Sequence, residues 1–332
     1  MRKVLIIAEA GVNHNGDIRI ARRMISAAVK AGANAIKFQV FHAENLVTPS
    51  APKAHYQRKG TGLKESQFKM LKKLELSHDD FISLKRECDR KKILFMATPF
   101  DEESADFLEP LVDRYKISSG DLTNTPFLRH VAGKTKPVIL STGMATLAEI
   151  REAVEILQEI PLTLLHCTTN YPCPMEEANL RAIQTLEKEF GLPVGYSDHT
   201  AGIEAAIAAA ALGACVIEKH FTLDRKMKGP DHKASLEPDE LTRMVASIRN
   251  VEKALGDGVK KPLPSELKIA KQARRSLAFA RDLTAGSILT EEDLVAKRPG
   301  TGLPPGKRDQ VVGRRITRNV SKDELVSKEV VG

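Results

Sequence analysis

Short apolar runs recur along the first 220 residues, and each ends in side chains that suit catalysis better than packing. The run at 4–8 ends in Glu9, and the run at 35–40 carries Lys37 and Gln39 two residues apart. Thr98 closes the run at 93–98 and leads into Phe100. Lys116, Ser119 and Asp121 follow one another past the run at 115–118, and Ser141 closes 138–141. The run at 162–167 leads into Thr169, Asn170 and Tyr171. Ser197 and His199 end the run at 194–197, and Glu218 and His220 end the run at 215–220. A lone Ser or Thr at a strand end usually caps the following helix. Polar ends on every run do not fit that explanation, because a core needs no charges and each buried charge costs free energy unless paired.

Two ammonium groups, Lys37 and Lys116, and four hydroxyls, Thr98, Ser119, Ser141 and Ser197, would bind a phosphate if brought to one mouth. The alternative is that one of the lysines forms a Schiff base, as in an aldolase. His199 and His220 end consecutive runs. On neighbouring strands such a pair can hold a divalent metal with water at the other positions, although either can equally be a hydrogen-bonded spacer. Glu218 lies two residues from His220 on the same face, which strengthens the metal reading. His14, His166 and His232 are further imidazoles without a partner pattern. Asp231 follows Gly229-Pro230, where it reads either as a plain turn residue or as a contact for a polyol substrate.

The elements that must position these groups alternate. Between the apolar runs, stretches at 17–31, 79–91, 147–157, 179–190 and 203–212 carry helical spacing. Thr146 and Glu149 form a capping box, and Gly32, Gly191 and Gly213 stand where helix C-caps belong. Strand–helix alternation repeated eight times predicts a (β/α)8 TIM barrel, with its chemistry at the C-terminal strand ends. No G-x-G-x-x-G follows the first strand, and Leu128 takes the first-glycine place ahead of Gly133-Lys134-Thr135, so nucleotide binding is not expected. The segment 43–77 is too long for an ordinary βα loop. With His55, Tyr56, Gln57 and Arg58 it reads as a lid. The predicted organisation is a barrel over 1–255, a Gly/Pro/Lys-rich linker over 256–273, and a small β-rich domain over 274–332.

Composition narrows the class. Of 332 residues, 42% are hydrophobic and 28% charged, enough for a core that needs no staples. The four cysteines form no C-x-x-C pair, and no apolar run reaches the length of a membrane span. Glu9 interrupts the N-terminal apolar run, so a strand is expected there rather than a signal peptide. Together these predict a soluble protein of a reducing cytoplasm. The net charge is +8, and residues 256–332 hold 16 Lys/Arg against 10 Asp/Glu. Acidic residues interleave with the basic ones there, and aromatics make up only 5% of the chain. An anionic small substrate or an acidic neighbouring subunit suits this better than nucleic acid.

The motifs AEAGVNHNG (8–16), IKFQ (36–39), TPFD (98–101), KISSGD (116–121), LSTGM (140–144), LHCTTNYP (165–172), GYSDHT (195–200), EKHFTLD (218–224) and GPDH (229–232) resemble, in order, those of the sialic acid synthase family. Residues 274–303 resemble that family's C-terminal SAF, or antifreeze-like, domain. The resemblance implies a TIM barrel followed by the SAF domain, in a homodimer whose C-terminal domains are exchanged. It implies condensation of phosphoenolpyruvate with an N-acylated aminohexose, release of phosphate, and a requirement for Mn2+ or Mg2+. Carried over residue by residue, it puts phosphoenolpyruvate on Lys37, Thr98, Lys116, Ser119, Ser141 and Ser197, and the metal on His199 and His220. Glu9, Glu218 and Asp121 become catalytic. Gln39, Phe100, Thr169, Asn170, Tyr171 and Asp231 face the sugar, and Arg298 reaches its acyl group from the other subunit. Asp121 stands where many members carry Glu. Thr169, with Asn170 beside it, stands where sialic acid synthases carry Asn, a pattern that resembles the diacetyllegionaminate synthases. A Schiff-base aldolase and a non-catalytic carbohydrate-binding protein are the rival readings.

Overall fold

The computed structural model describes residues 3–53 and 65–332. His55, Tyr56, Gln57 and Arg58 lie outside the described residues. The chain divides into two compact units after Asp257.

The first unit is built on eight parallel strands: β1 (Leu5–Gly11), β2 (Ala35–Val40), β3 (Leu94–Pro99), β4 (Tyr115–Ile117), β5 (Val138–Ser141), β6 (Leu162–Cys167), β7 (Val194–Asp198) and β8 (Val216–His220). They pair in the order β3-β2-β1-β8-β7-β6-β5-β4, and the two end strands lie against each other, so the sheet closes as the TIM barrel expected. Local signals set the helices between them. In Ile18–Ala31 the Asp17 carboxylate accepts the Arg19 N–H, Gly32 closes the C-terminus in the left-handed region, and Ala21, Met24, Ile25 and Ala28 form the buried stripe. Thr146 and Glu149 make the reciprocal capping box ahead of Leu147–Leu157. Segment 43–77, read as a loop, contains helices Ala43–Leu46 and Gln67–Lys72, whose Ala43, Met70 and Leu71 pack with Val12 and Phe41.

The barrel interior is layered, because side chains two apart on a strand share a face. Ile7, Ala35, Met96, Ile139, Leu165 and Val216 form an apolar layer. Two residues further along the same six strands come Glu9, Lys37, Thr98, Ser141, Cys167 and Glu218, all buried. One register thus sets the apolar plug and the polar layer above it.

The second unit begins with helix Pro264–Ala273, so the segment 256–273, read as a linker, is helical in its second half. Pro264 opens the helix where no N–H is needed, and the Glu266 carboxylate accepts the Leu263 N–H at 2.7 Å. The surrounding glycines and prolines are helix punctuation that resembles linker composition. Antiparallel strands β9 (Ser276–Phe279) and β10 (Leu294–Lys297) then pair, Leu294 opposite Phe279. Leu277, Phe279, Leu289, Ile316, Val320 and Val326 make this unit's own core. Among the described residues no helix is long and apolar enough to cross a membrane.

Gly195 shows how tight the barrel interior is. A Cβ there would stand 2.6 Å from both Leu165 Cδ2 and the Val216 carbonyl oxygen. Gly195→Ala is therefore expected to lower unfolding free energy by about 1–3 kcal/mol, read as a lower urea midpoint at unchanged slope. An unchanged midpoint would show that the barrel interior yields to a methyl group at Gly195.

Candidate active site

Three charges lie in the polar layer, and Lys116 of β4 reaches up to it as a fourth. Lys37 Nζ pairs with Glu9 Oε2 at 2.8 Å and donates to Thr98 Oγ1 at 2.7 Å. Lys116 Nζ donates to Ser141 Oγ at 2.6 Å and to the Ile117 carbonyl at 3.0 Å. Glu218 lies between the lysines, 3.8 Å from Lys37 Nζ and 3.7 Å from Lys116 Nζ, and accepts the Ser197 hydroxyl at 3.1 Å. Gln39 Nε2 donates to Glu9 Oε1 at 3.4 Å.

The neighbouring charges treat the two buried carboxyls differently. Desolvation raises Glu9 to about 7, against the opposing pull of Lys37 and with a further push from Glu218. Desolvation pushes Glu218 up as well, but Lys116, Lys37 and the Ser197 hydroxyl outweigh it and hold Glu218 below the usual carboxylate range. Burial lowers the pKa of Lys116, while Glu218 opposes that shift.

These residues line a small cavity of about 60 Å³ with Thr98, Phe100, Ser119, Ser141, Tyr171, Ser197, His199 and His220. It adjoins a larger cavity of about 400 Å³, sharing Gln39, Phe100, Ser118, Ser119, Tyr171 and His220 with it. Thr169 and Asp231 line the outer cavity. Its remaining wall includes Val12, Leu46, Val47, Met70, Leu71 and Met144 and is mostly apolar.

His199 and His220 end β7 and β8 with ring centroids 5.7 Å apart, and the Tyr171 ring lies 4.1 Å from that of His199. His199 Nδ1 lies 2.7 Å from the Thr168 carbonyl, which makes it the protonated nitrogen and leaves Nε2 with its lone pair. His220 Nδ1 is buried without a hydrogen-bond partner. Burial lowers both imidazole pKa values and keeps the rings neutral. A neutral imidazole with its second nitrogen on a carbonyl, beside one with an orphaned nitrogen, fits a divalent cation. Among the described residues no third His, Cys, Asp or Glu completes a cluster, so water or substrate would supply the other positions.

Three expected residues fall elsewhere. Asp121 lines neither cavity: two positions past Ser119 on a 3₁₀ turn, it occupies a different side of that turn. Its carboxyl is pushed up to about 6, chiefly by burial. Asn170 points away and donates to Glu177 Oε2 at 3.3 Å. Arg298 belongs to the second unit, where its Nε donates to the Ala273 carbonyl at 2.9 Å. His166 and His232 are engaged by the Ala178 carbonyl and by Thr222 and Asn15.

The sequence reading missed Cys167, whose Sγ lies 3.2 Å from Ser119 Oγ in the inner cavity. Its spacing of two from Leu165 was the available signal. It also missed the pair Lys219–Asp198, 2.7 Å apart and wholly buried on the outward face of β8 and β7. Lys219 Nζ also donates to the Thr200 carbonyl at 2.6 Å, and Asp198 Oδ1 accepts the Thr200 N–H and hydroxyl, each at 2.8 Å. These bonds tie together the strand ends that carry His199 and His220.

Asp231 is nearly buried, and desolvation raises it from 3.8 to about 6. A carboxyl with a raised native pKa binds its proton more tightly when folded, so stability is lost as pH rises from about 4 to 6. Asp231→Asn is thus expected to stabilise the protein by about 3 kcal/mol at pH 7, falling to about 0.5 kcal/mol at pH 4. Urea unfolding at both pH values checks this, and an equal effect at both would contradict it.

Residues 24–260 match the NeuB family and residues 274–331 the SAF domain. The chain is 49% identical to the N,N'-diacetyllegionaminic acid synthase of Campylobacter jejuni, over 98% of this chain and 99% of that one. It is 48% identical to the Legionella pneumophila protein of the same name, over 95% and 91%. The crystal structure of N-acetylneuraminic acid (sialic acid) synthetase from Leptospira borgpetersenii, solved with citrate, superposes at a TM-score of 0.72 with 40% identity over 80% of this chain and 90% of that one. The family match over residues 24–260, together with near full-length relatives at almost half identity, places this chain in the NeuB family.

Proposed function

We propose that the protein is a nonulosonic acid synthase, condensing phosphoenolpyruvate with an N-acylated aminohexose and releasing inorganic phosphate. The observation that carries this is the inner cavity. Two buried ammonium groups and the hydroxyls of Thr98, Ser119, Ser141 and Ser197 gather at the barrel mouth, beside an outer cavity large enough for a sugar. Both lysines are engaged by carboxylates, which suits a fixed anion site better than a free amine poised for imine formation. The acceptor is N-acetylmannosamine or 2,4-diacetamido-2,4,6-trideoxymannose, giving N-acetylneuraminate or N,N'-diacetyllegionaminate. The identity to the C. jejuni and L. pneumophila synthases and the apolar outer wall favour the second.

In this reading Lys37, Lys116, Thr98, Ser119, Ser141 and Ser197 hold the phosphate. Gln39, Phe100, Thr169, Tyr171 and Asp231 line the acceptor. His199 and His220 would hold a divalent cation, Mn2+ or Mg2+, which would supply Lewis-acid polarisation of the open-chain aldehyde oxygen. The enol carbon attacks the aldehyde carbon, and positive charge develops at carbon two of phosphoenolpyruvate. Water adds there, and Glu218, kept ionised between its lysines, takes the proton. The tetrahedral carbon then collapses to the ketone, breaking the C–O bond and expelling phosphate with the bridging oxygen and the hydroxyl proton, while the proton taken from water passes to the former aldehyde oxygen. Glu9, pushed up to about 7, exchanges a proton near neutral pH beside the same centre.

The enzyme is taken to be a cytoplasmic homodimer with exchanged C-terminal domains, Arg298 of each chain serving the acceptor site of the other. The excess of basic residues after 256 supports a C-terminal unit that meets anionic substrate or an acidic subunit.

Two experiments decide these points. With Mn2+, phosphoenolpyruvate labelled with 18O at the bridging oxygen, and a panel of N-acylated hexosamines, the diacetamido-trideoxy acceptor should give a nine-carbon acid by mass, with the label in inorganic phosphate. EDTA should abolish turnover, and His220→Ala should reduce it about a thousandfold or more. No phosphate release with any acceptor removes the synthase reading, and label kept in the sugar acid overturns C–O cleavage. For the dimer, mixed Arg298→Ala and Lys37→Ala subunits should recover activity through heterodimers holding one intact site. Heterodimers without recovery would mean that each tail serves its own barrel.

A further inference from the structure

Asp231 is the one carboxylate among the described residues that line the outer cavity, yet no strand carries it. It precedes the short 3₁₀ turn His232–Ala234, within the long connection from β8 to helix Pro238–Leu255. A buried carboxyl in such a connection needs fixing from outside, and the loop after β1 supplies two ties. The first runs through Asn13, which is fully buried. Its Nδ2 donates to the Phe221 carbonyl and to Ser235 Oγ, each at 2.9 Å, and Ser235 Oγ in turn donates to the Asp231 carbonyl at 2.7 Å. The second runs through Asn15. Its Oδ1 lies 3.1 Å from His232 Nε2, so Nε2 carries the proton and Nδ1 accepts from the Thr222 hydroxyl at 2.7 Å.

The two loops are also in close contact. A Cβ on Gly229 would come within 2.6 Å of His232 Cδ2 and 2.8 Å of Asn15 Oδ1, so only glycine lets the chain pass before Pro230. Asp231 is therefore held on both sides, through His232 next to it and through its own carbonyl. Both ties start in the Asn13-His14-Asn15-Gly16 stretch, whose asparagines contribute no atom to either cavity.

We propose that Asn13, with Ser235, and Asn15, with His232, are positioning residues for acceptor binding: they fix the loop after β8 so that the Asp231 carboxylate faces the outer cavity. This rests on the reading of Asp231 as an acceptor contact given above. Asn13 and Asn15 act through Asp231 and touch no substrate themselves.

A double-mutant cycle tests it. Ser235→Ala breaks the first tie with little change of volume. Asn15→Gly breaks the second at a backbone φ of 54° that glycine adopts freely. Each is expected to raise the acceptor KM roughly tenfold, leaving the phosphoenolpyruvate KM and the Mn2+ requirement unchanged. In an Asp231→Ala background neither should raise it further. Undiminished effects in that background would overturn the proposal, since the residues would then act elsewhere. An equal rise in the phosphoenolpyruvate KM would overturn it too, showing general loosening. If Asp231→Ala raises the acceptor KM but neither tie variant does, the positioning role fails and the acceptor reading stands. If Asp231→Ala itself changes nothing, the acceptor reading of Asp231 fails and takes the positioning role with it.

Discussion

A charge can remain inside a barrel only beside its opposite, and here four meet at one interior layer. Glu9, Lys37, Lys116 and Glu218 sum to zero, which makes the layer tolerable in the absence of ligand. In the proposed reading the same pairing prepares it for an anion. Thr98 and Ser141 already sit on the ammonium groups, so a phosphate held there would meet fixed donors rather than flexible side chains. The added negative charge would then be offset at Glu9, whose pKa already stands at about 7 while Glu218 is held low by two lysines. Two carboxyls pushed apart in pKa by their neighbours would, in that reading, divide proton holding from proton removal.

The strand register makes this layer possible, and the sequence revealed much of it. Apolar residues two before each polar strand end, such as Ile7 before Glu9 and Val216 before Glu218, mark an apolar plug below a functional layer. Helix ends were legible where a side chain caps the backbone, as at Asp17 and Thr146. The reading failed where local composition carries two meanings. Helix Pro264–Ala273 read as part of the linker because its opening proline suits a helix start and a stiff spacer equally well. Asp121 and Asn170 sit in the right motifs, but a 3₁₀ turn and an irregular loop decide their direction, and no periodicity reports on either. The apolar wall of the outer cavity was invisible because Leu46, Met70 and Leu71 come from short helices in a segment that reads as polar.

Each strand end also has an outward face, and here that face holds the inward one in place. His220 points into the cavity while Lys219, its neighbour, points out and meets Asp198, itself the neighbour of His199. A buried ion pair adds little net stability over apolar side chains of similar size, so energy alone does not account for it. Geometry does. The pair spans directly opposed positions of β7 and β8, and its remaining bonds close on Thr200, just past His199. Sliding or splaying of the two strand ends would leave two charges unpaired away from water. Imidazoles that are to share a cation, as proposed for His199 and His220, need a fixed separation, and the cost of separating Lys219 from Asp198 enforces one from the outward face of the sheet.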